Sequence, residues 1–246
     1  MAEPPFAGPA AGRYNEETAA QLFHGATALM AVLGLVLQIM ATGESPAHAV
    51  APAHIWWNFL GSASLHINAL VFIVSLSLLM EPARAGGPVW RAVRVITLAG
   101  TLLLLLLQFT PLRGIPDFAA LSPTAVFADR LLHYAVPIMV IVGWLIFGPR
   151  PRITPLRVLW SLVYPAAWLL GVFIRGAATG WYPYPLLDVG LAGIGPVLVN
   201  CVMVLLLWLG AGFVFLTLDL AMGREPDGYL PGFGDDSRAE VDDRNL

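Results

Sequence analysis

The stretch that decides the fold is "IWWNFLGSASLHINALVFIVSLSLLM", Ile55 to Met80. A helix rises about 1.5 Å per residue, so this run is long enough to cross a hydrocarbon core about 30 Å thick. Successive residues turn by about 100°. On that wheel Asn58, Ser62 and His66 stack at i, i+4 and i+8, and Gly61, Ser64 and Asn68 form an adjoining stripe. Phe59, Leu60, Ala63, Ile67 and Leu70 fall on the other side. A continuous spanning helix is expected here, with a lipid face and a polar face turned into a bundle. Serines and glycine alone would serve close helix packing. His66 and Asn68 on the same side point instead to a polar cavity.

Similar apolar runs recur at 20–41, 90–110, 123–147, 155–175 and 196–221. The chain is 58% hydrophobic with a mean hydropathy of +0.74. Only 12% of residues are charged, against roughly 25% in soluble domains. The expected fold is therefore all-α: a polytopic integral membrane protein with a bundle of six transmembrane helices. Ser122-Pro123 reads as an N-cap followed by proline at the first helical position. A net charge of −3 gives no reason to expect nucleic acid. Cys201 is alone inside an apolar run, so neither a disulfide nor a cysteine-based metal site is expected. "GLAGIGP" follows no strand, so no dinucleotide fold is expected; no metal or cofactor is called for. The halves of the chain show no repeat of the kind inverted-repeat transporters carry.

All 13 basic residues are arginine. Arg13, Arg84, Arg91, Arg94, Arg150, Arg152, Arg157, Arg224, Arg238 and Arg244 fall on one side, and Arg113, Arg130 and Arg175 on the other. The positive-inside rule places the first set, with both termini, in the cytoplasm of a multi-pass cell-membrane protein. The loops 42–54, 111–122 and 176–195 then face outward, and Trp56, Trp57, Trp181, Tyr182 and Tyr184 form an aromatic belt. The organisation expected is a cytoplasmic leader over 1–19, a transmembrane domain over 20–221, and an acidic, disordered tail over 222–246. The leader lacks the basic start of a secretory signal, so the first run is read as a retained helix.

Ionisable groups in the membrane gather near the outer ends of helices two, four and five. In "DRLLHYAVP", Asp129 and His133 are i, i+4 and share a face. A carboxylate there can hold the imidazole in one tautomer and steady its cation. His133 lies about 15 Å along a helix that starts at Pro123, and Ser64 about 13 Å along one that starts at Ile55, so the two reach similar depth. A hydroxyl near a His with an Asp behind it is the equipment for attack on an ester. Pro137 leaves a carbonyl about one turn earlier without its usual donor, where a water or ligand could bind. Arg175, ending helix five, could snorkel, pair with Asp129 or Asp188, or grip a carboxylate. "WYPYP", Trp181 to Pro185, suits a rim or lid.

"LLHYAVP", "RGAATGWYPYPLLD" and "VLVN", in that order across helices four to six, resemble the bacterial Pr-six-Pr membrane proteins. That group is similar to the animal androgen-induced and androgen-dependent six-span membrane hydrolases. The resemblance covers about Trp56 to Leu220. It implies cleavage of fatty acid esters of hydroxy fatty acids by a Thr nucleophile and a His. His133 matches the His, although the gap to the following proline differs from the animal proteins. For the Thr, one alignment offers Gly61 and another Ser64, with Asn68 at an Asn; neither residue is Thr.

The expected function is an intramembrane serine- or threonine-type hydrolase of lipid esters: Ser64 attacks, His133 is the base and Asp129 orients it. Arg175, Asn68, Ser62, His66 and Tyr182 are the expected substrate contacts, with Ser62 in reserve as nucleophile. The expected partners are the bilayer and a lipid or fatty-acid-ester molecule. The alternative is a non-catalytic binder or transporter using the same cavity. A b-type haem between His66 and His133 is a third reading.

Overall fold

The computed structural model describes residues 9–45, 52–109, 122–148 and 153–222, with side chains from 16 in the first segment and from 55 in the second. The tail beyond 222, the connections around 46–51 and 110–121, and Arg113, Arg150 and Arg152 lie outside these residues. The described residues form helices and no strand. In chain order they are α1 (Pro9–Glu44), α2 (Pro52–Leu60), α3 (Ala63–Met80), α4 (Pro88–Leu107), α5 (Pro123–Arg130), a π turn (Leu131–Ala135), α6 (Val136–Phe147), α7 (Pro155–Ser161), α8 (Val163–Thr179), a 3₁₀ turn (Pro185–Leu187), α9 (Val189–Ala192) and α10 (Ile194–Ala221). Six helical segments are long and apolar enough to cross a bilayer: Glu16–Glu44, Ala63–Met80, Pro88–Leu107, Pro123–Phe147, Pro155–Thr179 and Ile194–Ala221. The chain is a multi-pass membrane protein.

Proline opens three of these spans. Pro88, Pro123 and Pro155 each sit in the first helical turn, where the missing N–H costs nothing. The Ser122 hydroxyl accepts from the Ala125 N–H at 3.2 Å. The Thr154 hydroxyl accepts from the Arg157 N–H at 3.3 Å. α1 starts at Pro9, well before the start expected at 20, so it runs through most of the leader.

α4 is the central element: it packs against α3, α6, α7 and α10, while α1 covers α3, α5 and α6. Ile67, Val71, Leu98, Val136, Trp144, Val158 and Phe215 fill the core between them. Without a hydrophobic drive between helices in lipid, close approach of backbones does the work. A Cβ on Gly34 would lie 2.6 Å from Leu132 Cδ2, and one on Gly212 would lie 2.7 Å from Val158 Cγ1. Those two crossings admit only glycine without a shift. Leu206, Val199 and Val202 of α10 are among the large apolar side chains left exposed, as a lipid-facing surface requires.

The second span corrects the expectation of one helix over 55–80. The chain breaks at Gly61 and Ser62, and Ser62 is extended at φ −72° and ψ 127°. α2 therefore ends at Leu60 and α3 begins at Ala63. The stripe Asn58–Ser62–His66 is not continuous. Ser64 lies in the first turn of α3, so its depth cannot be counted from Ile55.

The fourth span is also irregular. A π turn over Leu131–Ala135 passes the Val136 N–H to the Leu131 carbonyl, five residues back. In that register Pro137 should donate to Leu132, but it has no N–H. The Asn68 side-chain amide fills the gap, donating to the Leu132 carbonyl at 3.3 Å and to its own helix at Ser64 O, 2.9 Å. The carbonyl that Pro137 frees is thus used by the protein, where a water or ligand was expected. Asn68→Leu would strip this buried carbonyl of its donor. A loss of about 1–3 kcal/mol is expected, read as a lowered midpoint of thermal unfolding in detergent, with no loss as the contrary result.

Candidate functional site

A cavity of about 640 Å³ opens among the spans, toward the end of the bundle where α1 and α4 finish and α5 begins. Its walls are mostly apolar, including Leu35, Ile67, Leu103, Met203, Leu207 and Trp208. Polar groups are confined to Gln38, Thr42, Ser45, Asn58, Ser62, Ser64, Gln108, Asp129, His133, Tyr164, Tyr184 and Asn200, with the Trp168 indole. A mainly apolar chamber with a few convergent polar groups is the usual form of a small-molecule site.

The His133 and Asp129 pair forms as its spacing implied. His133 Nδ1 stands 2.9 Å from Asp129 Oδ1 and 3.2 Å from the Asp129 carbonyl oxygen. Both are acceptors, so Nδ1 carries a proton; in the neutral ring Nε2 then holds the lone pair. Burial is incomplete: side-chain exposure is 18% for His133 and 16% for Asp129. The pair sits at the cavity wall, within reach of an occupant.

Ser64, His133 and Asp129 all line the cavity. Asn68 Nδ2 lies 3.5 Å from Ser64 Oγ and 3.3 Å from the carbonyl of Leu132, the residue before His133. One amide therefore bridges the two walls. Ser64 and His133 share no direct hydrogen bond: the Ser64 hydroxyl meets Asn68, and the His133 ring meets Asp129. Ser62 also lines the cavity, and its hydroxyl hydrogen-bonds the Tyr184 phenol. Burial pushes that phenol above its ordinary range, and the Ser62 bond pulls it partly back.

The other expected contacts have different positions. Arg175, His66, Asn68 and Tyr182 are not part of the cavity wall. Arg175 Nη1 donates to the Trp57 carbonyl at 2.8 Å, and Nη2 donates to the Asn58 side-chain oxygen. Its guanidinium lies 4.1 Å from the Trp181 ring centroid. It pairs with neither Asp129 nor Asp188. Asp188 accepts from the Leu191 N–H at 3.1 Å as the N-cap of α9. His66 Nε2 bonds the Leu60 carbonyl at 2.8 Å. That leaves its Nε2 committed to the helix break rather than turned toward a haem with His133. Trp168 Nε1 donates to the Gly61 carbonyl at 3.0 Å. Gly61 is small because a Cβ there would sit 2.7 Å from Arg175 Nη1. Tyr182 packs on Gly176 and meets Phe173 at 6.3 Å. Of the "WYPYP" rim, only Tyr184 reaches the cavity.

Gln38, Gln108, Tyr164 and Trp168 were not foreseen as lining. Gln38 and Gln108 carried a usable signal, since an amide inside a spanning run is itself a site indicator. Tyr164 and Trp168 did not, because aromatic rings serve equally as core. Asn200 donates to the Leu186 carbonyl at 2.8 Å and so ties the connection before α10 to that helix. Among the described residues no group of three or more His, Cys, Asp or Glu is placed to hold a metal.

No family model, no curated protein and no solved structure matches the chain. Trp168→Phe keeps the aromatic wall but removes the donor to Gly61. It is expected to cost about 1–3 kcal/mol, measured by unfolding in detergent. An unchanged midpoint would show that the Gly61 carbonyl needs no such partner.

Proposed function

We propose that the protein is an intramembrane hydrolase of lipid esters acting in this cavity. The observation that carries the reading is the Asp129–His133 pair at the cavity wall, with Nδ1 bound to Asp129; in the neutral ring Nε2 serves as the base. Ser64, on the same wall, is the proposed nucleophile. Its hydroxyl transfers a proton to His133 Nε2 as the oxygen attacks the ester carbonyl, and Asp129 steadies the imidazolium. Closure that brings Ser64 to His133 is part of the proposal. Donors for the oxyanion are at hand in the first turn of α3, whose N–H groups have no partner within the helix. Ser62 leaves them uncapped by its side chain. The apolar wall formed by Leu103, Met203 and Leu207 suits an acyl chain.

The likeness to the Pr-six-Pr group belongs to the same proposal, with Ser64 in place of Thr. So do a cell-membrane location and cytoplasmic termini. These rest on the arginines: Arg84, Arg91, Arg94 and Arg157 lie at the end away from the cavity. The second reading, a lipid binder or transporter, is favoured by one observation. Ser64 and His133 are not hydrogen-bonded, so binding needs no rearrangement where catalysis does.

A fluorophosphonate probe tests the two. Labelling of the wild type is expected, with loss in Ser64→Ala and His133→Ala and at least a ten-fold slowing in Asp129→Asn. Labelling that survives Ser64→Ala but not Ser62→Ala moves the nucleophile to Ser62. No labelling of a protein that still binds a fatty acid ester saturably would replace the hydrolase by the binder.

A further inference from the structure

Most of the buried polar atoms without a partner, among the described residues, lie far from the cavity. They are His24 Nε2, Ser77 Oγ, Arg84 Nε, Trp90 Nε1 and Arg94 Nε, at the opposite end of the bundle. Arg94 is the centre of this group. It is 5% exposed, one and a half turns inside α4. A guanidinium stays charged in a protein, so burial cannot be relieved by losing the proton. Buried charges are ordinarily paired.

No carboxylate among the described residues pairs with Arg94. Glu81 is taken by Arg84 at 3.4 Å, and Asp219 accepts from the Ile153 N–H at 3.0 Å. The hydrogen bond Arg94 does make runs from Nη2 to the Gly148 carbonyl at 3.0 Å, just past α6. That leaves Nε without an acceptor.

Two more nitrogens border the same place. The Trp90 ring centroid lies 5.7 Å from Arg94 Cζ, and its indole N–H can only donate. His24, 4% exposed, stands 6.2 Å from the ring of Phe147, the neighbour of Gly148. His24 and Arg94 thus meet the same end of α6, from α1 and from α4. The Trp90 indole and the Arg94 guanidinium, in contact with each other, each leave a donor without an acceptor beside a fixed positive charge, and the unpartnered His24 ring borders the same end of α6. We propose that this cluster is an oxyanion site for a phosphate group, separate from the cavity and independent of the hydrolase reading. Arg94 lies about 9 Å along the helix axis from Pro88. These donors are closed to solvent in this structure, so the proposal includes a local opening at this end of the bundle that admits the phosphate of a lipid headgroup or a small phosphate from solution. Guanidinium and phosphate form strong charge-assisted hydrogen bonds. A ligand bound only to the folded state raises its stability by mass action.

The test uses the full chain in zwitterionic detergent and follows its unfolding midpoint. The probes are dioleoyl phosphatidylglycerol, dioleoyl phosphatidylcholine, and inorganic phosphate against chloride of equal ionic strength. Phosphatidylglycerol or phosphate is expected to raise the midpoint saturably. The apparent affinity should fall at least ten-fold in Arg94→Gln and several-fold in Trp90→Phe. Arg91→Gln, whose guanidinium Nε donates to the Ala85 and Gly86 carbonyls at 3.1 Å, should keep the wild-type response. A rise with phosphatidylglycerol alone assigns a lipid headgroup; a rise with phosphate as well assigns a free anion. If Arg94→Gln does not fold, Trp90→Phe and Arg94→Lys carry the same expectation. No rise with either anion, or the same rise in wild type, Trp90→Phe and the Arg94 variant, would overturn the site.

Discussion

In a bilayer every backbone carbonyl needs a donor from the protein itself, because no water reaches the hydrocarbon. The break at Gly61 and Ser62, where the second span begins, puts that constraint to the test. α2 stops at Leu60 and α3 starts at Ala63, so carbonyls around the break lose their ordinary helical partners. Side chains serve them. His66 takes Leu60 and Trp168 takes Gly61, while Trp57, which keeps the Gly61 N–H at 3.0 Å, accepts Arg175 as a second donor. Two of these three donors come from α8, which fastens the fifth span to the second. A cation at the C-terminal end of α2 also suits the helix dipole there.

The same logic sets the other wall of the cavity. Pro137 removes a donor, the chain widens into a π turn, and Asn68 supplies what is missing. π turns often mark functional sites, and this one carries His133. The consequence for chemistry is positional. The break places Ser62 and Ser64 at the start of a helix, and the π turn places His133 across from them on the cavity wall. Both irregularities are stabilised by groups that a functional reading would otherwise assign to substrate. Arg175 and His66 are employed in structure, and the cavity keeps Asp129, His133, Ser62 and Ser64.

The six spans were legible in the sequence because length and apolarity are enough to define them. The Asp129–His133 pair was legible because it is local, one helical turn apart. The Ser122 cap was legible for the same reason. The break at Gly61–Ser62 was not. No proline marks it, and a glycine and a serine in a transmembrane run serve packing equally well. Two of its three stabilising groups lie more than 100 residues away, as in the contact from Trp168 to Gly61. The bond of Asn68 to Leu132 is hidden in the same way: Pro137 announces a missing donor, but not which residue supplies it. The polar stripe on helix two was right for Asn58, Ser62 and Ser64, which line the cavity, but the break interrupts it and turns His66 to the Leu60 carbonyl.

The claim on which the site depends is that α8 holds the broken end of α2 through its side chains. A double-mutant cycle between Arg175 and Asn58 measures this most directly, because the two side chains join α8 to α2 just before the break. Unfolding free energies of the wild type, Asn58→Leu, Arg175→Met and the double variant give the coupling. Contacting residues of this kind couple by about 0.5–3 kcal/mol, and a value in that range is expected. Losses that simply add would contradict the claim.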